Sequence, residues 1–316
     1  MLLSIGMMVK NEEKYLDKCL ASLQPILENI ESELIIVDTG SEDKTVEIAN
    51  KYTDKVYFHK WNNNFSEMRN KVLEYCSGEW FLCIDGDEVL ENCNDIISFF
   101  KDGCYLKFNA ATIYGKNVVD ENNLNRTSTV ETLRLFKNET GFKYIGSVHN
   151  QPTWKEPVKK LNSLLLHYGY LATDKELMER KFKRTSELLI KELEKNPNNL
   201  YYRFQLSVTY GMHGDYRKAL EEAEKSYNSL INSNEDRKFY KYIYCNYVKM
   251  LMISDKYLEV EKIALEGINL TKNKTVDKID LYYNLAKAQY NLKQSEKSIK
   301  NYNNYLEYLN LYENGE

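Results

Sequence analysis

The sequence predicts an α/β domain, in which helices flank a mostly parallel sheet, followed by an all-α domain. Three observations predict this fold class. Apolar runs of strand length recur in the first hundred residues, helical patterns separate them, and helical periodicity continues almost without interruption after residue 170. Strands that are apolar throughout belong to a parallel sheet covered on both faces. The predicted domains are residues 1–170 and 171–316.

The strands and helices of the first domain alternate along the chain. Strands are predicted at 2–9, 34–37, 56–58 and 80–84, and helices at 12–23, from 41 onward and at 65–75. In a parallel sheet of this kind, ligands bind at the carboxyl ends of the strands.

From residue 105 to residue 168 the pattern changes to shorter strand-like runs. They lie at 105–114, 132–136, 142–148 and 161–168. The polar stretch 116–129 predicts a long loop. Such a loop is either a lid or binding loop, or an insertion without a function.

Helical patterns fill the second domain. A helix at 174–195 ends before Pro197, because proline cannot continue a helix. The next helix pair, with its Gly-Asp-Tyr turn at 214–216, resembles a tetratricopeptide repeat, and 240–270 and 280–309 are weaker copies. We therefore expect a short tetratricopeptide-like helical repeat domain.

Composition excludes several classes of protein. Lys and Arg total 43 against 47 Asp and Glu, so the net charge of −4 gives no general attraction for nucleic acid. None of the six cysteines forms a C-x-x-C pair, which argues against a zinc site or a disulfide framework. The first residues lack a basic leader, and no apolar stretch reaches the roughly 20 residues that span a bilayer. We expect a cytoplasmic protein without a transmembrane segment.

An acidic run, Asp85-Gly86-Asp87-Glu88, follows the predicted strand 80–84 directly. Carboxylates at the carboxyl edge of a sheet repel one another unless a cation is present. Their oxygens suit Mg²⁺ or Mn²⁺, which would bridge a diphosphate. A D-x-D pattern alone is weak evidence, because acidic turns are common, but its place after an apolar strand favours a ligand site.

A second acid, Asp38, ends the predicted strand 34–37 at the same edge of the sheet. Its carboxylate would either accept hydrogen bonds from a base or ribose, or cap the following helix without any ligand. The spacing does not distinguish these two roles.

Four motifs, in this order and spacing, resemble the family 2 glycosyltransferases of the GT-A fold. They lie at 4–13, 36–45, 65–70 and 80–88. The resemblance implies that Asp38 contacts the nucleotide base and that Arg69 lies near the base or diphosphate. It also implies that Asp85 and Asp87 hold the ribose and the metal. Without the resemblance, Arg69 would be interpreted as one half of a surface salt bridge.

Three later motifs resemble a bacterial subset of that family in which tetratricopeptide repeats follow the transferase domain. They lie at 131–138, 146–152 and 166–170. The subset includes peptide S-glycosyltransferases that modify bacteriocins. Two residues depart from its pattern: Asn150 stands where the subset usually has Glu, and Asn64 where it tends to have Asp. If that Glu is the catalytic base elsewhere, this chain must use another group.

Two histidines are candidate metal ligands beside Asp87. His149 and His167 each follow a strand-like run, and a neutral imidazole can complete a metal shell. A single histidine at the end of a strand is otherwise more often structural. The resemblance favours His149 over His167.

Two carboxylates, Glu131 and Glu88, are candidate bases. An inverting displacement needs a carboxylate on the face of the sugar opposite the departing nucleotide. As an alternative, Glu131 pairs with Arg134 on a strand face.

Together these features predict a metal-dependent, inverting glycosyltransferase. It would move a sugar from a nucleotide-diphosphate donor, expected to be a UDP-hexose, to a peptide, protein or glycan acceptor that the repeats hold. The repeats would also provide the contacts of a homo-oligomer. The alternative is a repeat-based interaction scaffold with an inactive transferase domain. A nucleotidyltransferase would need a glycine-rich phosphate loop near the first strand, where Gly6 stands alone.

Overall fold

The structure is a computed structural model that describes residues 1–119, 129–169, 175–270 and 276–314. It contains two compact units, Met1–Glu179 and Arg180–Glu316. The first unit is built on a sheet with flanking helices and the second on helices, which confirms the predicted fold class. The predicted domain boundary and most of the predicted loop 116–129 lie outside the described residues.

Ten strands and four α-helices lie among the described residues 1–169. The strands are β1 Leu3–Val9, β2 Ser32–Asp38, β3 Val56–Phe58, β4 Trp80–Cys83, β5 Glu88–Asn92, β6 Ala110–Asn117, β7 Thr129–Lys137, β8 Tyr144–Ile145, β9 Gln151–Pro152 and β10 Val158–His167. The helices are α1 Leu16–Asn29, α2 Thr45–Ala49, α3 Phe65–Glu74 and α4 Asn94–Lys101.

Eight of these strands form one sheet in the order β3-β2-β1-β4-β7-β6-β10-β5, while β8 and β9 pair with each other. Strands β5 and β7 run antiparallel to their neighbours, and the other six run in one direction. The sheet is therefore mostly parallel, as predicted. The carboxyl ends of β1, β2, β4, β6 and β10 meet at one edge, where β5 and β7 begin. We call this the carboxyl edge.

Buried apolar side chains hold the sheet between its helices. Strands β1, β2 and β4 are buried almost throughout, and Leu16, Leu20 and Leu23 of α1 are fully buried against them. Each such leucine contributes about 1.5–3 kcal/mol through removal of apolar surface from water. This rigid sheet fixes the positions of the residues at its carboxyl edge.

Some predicted elements differ from the structure. Strand β5 and helix α4 are absent from the prediction. Only Val89 and Leu90 of β5 are buried and apolar, too short a run to show a period. Helix α4 is only eight residues long. The predicted strand 105–114 begins at Ala110, after a 3₁₀ turn. The predicted strand 142–148 shrinks to the two residues of β8, since Gly146 adopts a φ of 91°, which ends extended pairing.

Helices α5 to α11 follow, and all but the first lie wholly in the second unit. They are α5 Lys175–Lys195, α6 Leu200–His213, α7 Tyr216–Ile231, α8 Lys241–Ile253, α9 Tyr257–Asn269, α10 Asp277–Asn291 and α11 Ser295–Glu313.

The predicted Gly-Asp-Tyr turn joins α6 to α7. Gly214 has a φ of 89°, a left-handed conformation that ends α6, and the Asp215 carboxylate accepts a hydrogen bond from the Lys218 N–H at the start of α7. From α6 onward, consecutive helices pack on one another around a core that includes Ala219, Tyr244 and Leu281. None of the described helices combines the length and the apolar character that a membrane span requires.

Candidate functional site

Six charged or titratable side chains gather at the carboxyl edge, and we call them the edge cluster. They are Asp85, Asp87, Glu88, Arg69, Arg134 and His167. The loop after β4 supplies Asp85 and Asp87, while Glu88 opens β5 and His167 ends β10. The sequence predicted five of these six residues.

The acidic run forms a tight turn that closes on itself. The Glu88 N–H donates to the Asp85 carbonyl at 3.0 Å, and the Asp85 N–H donates to Glu88 Oε2 at 2.8 Å. A Cβ atom on Gly86 would lie 3.1 Å from Val9 Cγ1 and 3.2 Å from Glu12 Cγ. Glycine is therefore the residue that lets this turn pack against the end of β1.

Arg69 reaches the cluster from helix α3. Its Nη2 donates to Asp85 Oδ1 at 2.8 Å, its Nη1 to Cys83 Sγ at 2.6 Å, and its guanidinium lies 5.5 Å from the Tyr144 ring centroid. Only 13% of its side chain is exposed. Arg69 is thus part of a half-closed charged site and not of a surface salt bridge.

Two asparagines fix the position of α3. The Asn64 side chain accepts the Glu67 N–H at 3.1 Å and so caps the helix, a role that asparagine fills as well as aspartate. The Asn70 amide donates to the Tyr144 carbonyl and accepts the Tyr144 N–H, which fastens β8 to α3. The departure from the family pattern at Asn64 therefore leaves the helix start intact.

Sequence reasoning did not place Arg134 in the site. On β7, Leu135 pairs with Ala111 and Leu133 with Thr112, so Arg134 is an extra residue in a β-bulge. Bulges re-aim side chains, often next to active sites. Here Arg134 Nη2 lies 2.5 Å from Glu88 Oε1, and Nη1 lies 3.9 Å from Asp85 Oδ2. Its presence in a family-like motif was the only signal in the sequence.

Glu131 pairs with other groups than the sequence suggested. Its carboxylate accepts the Thr112 hydroxyl at 2.6 Å and lies 2.8 Å from Lys160 Nζ. The suggested partner Arg134 instead contacts Glu88 and Asp85. The hydrogen bonds from Lys160 and Thr112 lower the pKa of Glu131, so this half-exposed carboxylate is ionised at neutral pH.

Burial and neighbouring charges act on the acids of the cluster in opposite ways. Burial by itself would raise the pKa of Asp85, but the charges of Arg69 and Arg134 lower that pKa below its ordinary value. Burial raises the pKa of Glu88, against the charge of Arg134. Burial would lower the pKa of His167, but the hydrogen bond with Asp87 and the charges of the three carboxylates raise it.

The structure brings together two of the three predicted metal ligands. His167 Nε2 lies 3.4 Å from Asp87 Oδ2, whereas His149 stands exposed on the loop between β8 and β9 with a φ of 46°. In the described part of the chain, no three His, Cys, Asp or Glu side chains are grouped to hold a metal ion. That Asp87 and His167 hold a metal ion stays a prediction.

Asp38 lies at the carboxyl edge, where it caps a loop. Its Oδ1 accepts the N–H groups of Gly40 and Ser41 at 2.9 and 3.0 Å, and the residue is only 3% exposed. Gly40 has a φ of 107°, so the turn requires its conformational freedom. The capping role is observed, and the contact with a nucleotide base stays a prediction.

Residues 4–160 match the model of the family described as Glycosyl transferase family 2. The chain is similar to the SPbeta prophage-derived glycosyltransferase SunS of Bacillus subtilis strain 168, with 26% identity over 255 residues, 75% of this chain and 56% of that protein. It is also similar to a TPR repeat-containing protein of Synechococcus elongatus, with 26% identity over 230 residues, 68% of this chain and 54% of that protein.

The chain spans about half the length of these curated relatives. Among solved structures, S. aureus TarS 1-349 aligns with 100% of this chain and 92% of its own, at 16% identity and a TM-score of 0.41.

Proposed function

We propose, on the premise that residues 4–160 form a glycosyl transferase family 2 domain, that the chain transfers a sugar from a nucleotide-diphosphate donor to a peptide, protein or glycan acceptor with inversion. The observation that carries the proposal is the edge cluster. Three carboxylates, two guanidiniums and an imidazole converge where a mostly parallel sheet binds ligands.

The donor, which we propose to be a UDP-hexose, would lie across the carboxyl edge. Asp38 would contact the base, Asp85 the ribose, and Arg69 the base or the diphosphate. Arg69 already holds Asp85 at 2.8 Å, so it can present charge to a phosphate with little loss of side-chain freedom.

Asp87 and His167 would hold Mn²⁺ or Mg²⁺. A divalent ion bound there neutralises negative charge on the departing nucleotide diphosphate. His149 remains a candidate third ligand by the family resemblance, although its side chain is exposed on the β8–β9 loop.

Of the two candidate bases, we favour Glu131 because of its exposure. It is ionised, and 41% of its side chain is exposed to a substrate. Both carboxylates are contacted at both oxygens, but Glu88 is fully buried. A base must reach the proton that it removes, which favours Glu131.

The helical repeats would bind the acceptor. Solenoids of this kind present extended surfaces that suit a peptide or glycan. The same surfaces would serve a homo-oligomer.

The test is release of UDP from UDP-glucose, UDP-galactose and UDP-N-acetylglucosamine by the purified full chain with Mn²⁺. We expect release from at least one donor, loss with a chelator, and recovery when Mn²⁺ is restored. Absence of both turnover and binding with every donor would contradict the proposal. Unchanged function of an Asp87→Ala chain in cells would support the scaffold alternative instead.

A further inference from the structure

We infer that Glu88 and Arg134 form a positioning pair, which holds the Asp85–Gly86–Asp87 turn in the shape that binds the donor. This inference rests on the proposed function, and it gives Glu88 a role other than that of the base. It follows from the contacts of the two side chains, from the bulge in β7 and from the pairing of β5 with β10.

Glu88 contacts Asp85, the first residue of the turn, through both its side chain and its backbone. Its Oε2 accepts the Asp85 N–H, and its own N–H donates to the Asp85 carbonyl, so side chain and backbone close the same four residues. The residue is 0% exposed. A carboxylate in that position fixes the backbone at Asp85, where the turn begins, and has no open path to an acceptor.

Arg134 supplies the cation that this buried carboxylate needs. Its Nη2 binds the second oxygen of Glu88, while its Nη1 faces Asp85. Removal of one partner from such a pair leaves a buried charge without compensation. In the described residues, Arg134 Nε is buried and has no hydrogen-bond partner. The bulge thus aims this side chain at the two carboxylates at the expense of one of its own hydrogen bonds.

Glu88 also faces the histidine of the site. In the antiparallel ladder Glu88 pairs directly with His167, and Glu88 Oε1 lies 4.0 Å from His167 Nδ1. The opposite nitrogen, Nε2, faces Asp87. At 4.0 Å the contact is electrostatic and favours a positive charge on the imidazole. Glu88 therefore lies against the turn on one side and against His167 on the other.

The experiment compares Glu88→Gln and Arg134→Lys with the wild-type full chain. Binding of UDP in the presence of Mn²⁺ is measured by titration calorimetry, and kcat, KM and the pH dependence of kcat are measured with the donor that the wild type uses. Glu91→Gln is the matched control, because Glu91 lies on the same strand but is exposed.

For positioning residues we expect UDP to bind roughly 10–100-fold more weakly to Glu88→Gln and to Arg134→Lys, with a corresponding rise in KM. The pH dependence of kcat keeps its shape, and Glu91→Gln behaves like the wild type. If Glu88→Gln does not fold, as judged by circular dichroism, Arg134→Lys decides the question, since it keeps the charge and loses the geometry of the guanidinium.

Two results would overturn the inference. In the first, Glu88→Gln binds UDP with unchanged affinity, its kcat falls roughly 100-fold or more, and the acidic limb of the pH dependence of kcat is lost. This result would make Glu88 the base. Wild-type affinity and KM in Arg134→Lys would show that the pair does not position the turn. Failure of the wild type itself to bind UDP would instead defeat the proposed function, and the inference with it.

Discussion

The two ends of the sheet carry buried carboxylates in contrasting surroundings. At the amino end, Glu33 of β2 is a single acid surrounded by donors: Ser4 Oγ at 2.6 Å, Lys55 Nζ at 2.6 Å, and the Ser77 N–H and hydroxyl at 2.6 and 2.8 Å. At the carboxyl end, three acids lie within one turn and share two arginines and a histidine.

The comparison contrasts a charge with a structural role and the charges that we propose to bind the donor. Burial would raise the pKa of Glu33, but the hydrogen bonds from Lys55, Ser4 and Ser77 lower it to about 2. In the edge cluster, burial raises the pKa of Glu88, and one arginine N–H lacks a protein partner in the described residues. A buried charge with a full set of hydrogen bonds serves the fold. Several carboxylates crowded together repel one another, and a bound cation would offset that repulsion, while a phosphate of the sugar donor would accept that arginine N–H.

The largest expected effect is on activity, from Asp87→Ala. Loss of this carboxylate removes one of the two protein ligands proposed for the metal ion, and we expect kcat/KM for sugar transfer to fall about 100-fold or more. Steady-state release of UDP measures it. The melting temperature should change little. An Asp87→Ala protein that turns over like the wild type would remove the edge cluster from the mechanism.

Glu33→Gln should have the opposite effect, with stability lowered and UDP binding unchanged. Loss of the carboxylate breaks a buried network, so we expect the free energy of unfolding at pH 7 to fall by about 3 kcal/mol. UDP affinity should stay at the wild-type value. Urea denaturation and titration calorimetry measure the two quantities. A Glu33→Gln protein with normal stability and weakened UDP binding would reverse the comparison.

Acid should remove the difference in stability between the wild type and Glu33→Gln. Because the pKa of Glu33 is lowered from 4.5 to about 2 in the folded state, its contribution to stability is complete above pH 4.5 and is lost as pH falls towards 2. We therefore expect the stability gap between wild type and Glu33→Gln to shrink across that range. Denaturation at pH 7, 4.5 and 3 measures the gap. A gap that is constant with pH would contradict the assigned cause.

A smaller effect is expected from Arg69→Lys. Lysine keeps the charge but cannot contact Asp85 and Cys83 together as the guanidinium does. We expect UDP affinity to fall about 10-fold, or about 1.4 kcal/mol. Lys71→Arg serves as the control, because Lys71 lies on the same helix and pairs with Glu74 and not with the edge cluster. Equal affinity in Arg69→Lys and wild type would place Arg69 outside the donor site.

The sequence predicts the edge cluster best where a residue directly follows an apolar strand. The run from Asp85 to Glu88 is of this kind, and so is Asp38, which lies at the same edge outside the cluster, since parallel strands bring their carboxyl ends together whatever the details of packing. The family-like motifs add Arg69. The match of residues 4–160 to the family model confirms the resemblance over that range.

The rest of the site depends on contacts that a sequence pattern does not contain. Arg134 enters the cluster through a bulge of one residue, which no hydropathy period reveals. His149 and His167 look alike in sequence, and the end of β10 places only the second beside Asp87. Glu33 gives no signal in the sequence, because a polar residue next to the predicted strand 34–37 does not reveal its four donors.

Titration calorimetry of UDP with Mn²⁺ against the wild type, Asp87→Ala and Glu33→Gln is the most direct test that the carboxyl edge is the donor site. The account predicts that wild type and Glu33→Gln bind with equal affinity, and that Asp87→Ala binds at least about 10-fold more weakly. Equal binding by Asp87→Ala and wild type would contradict it.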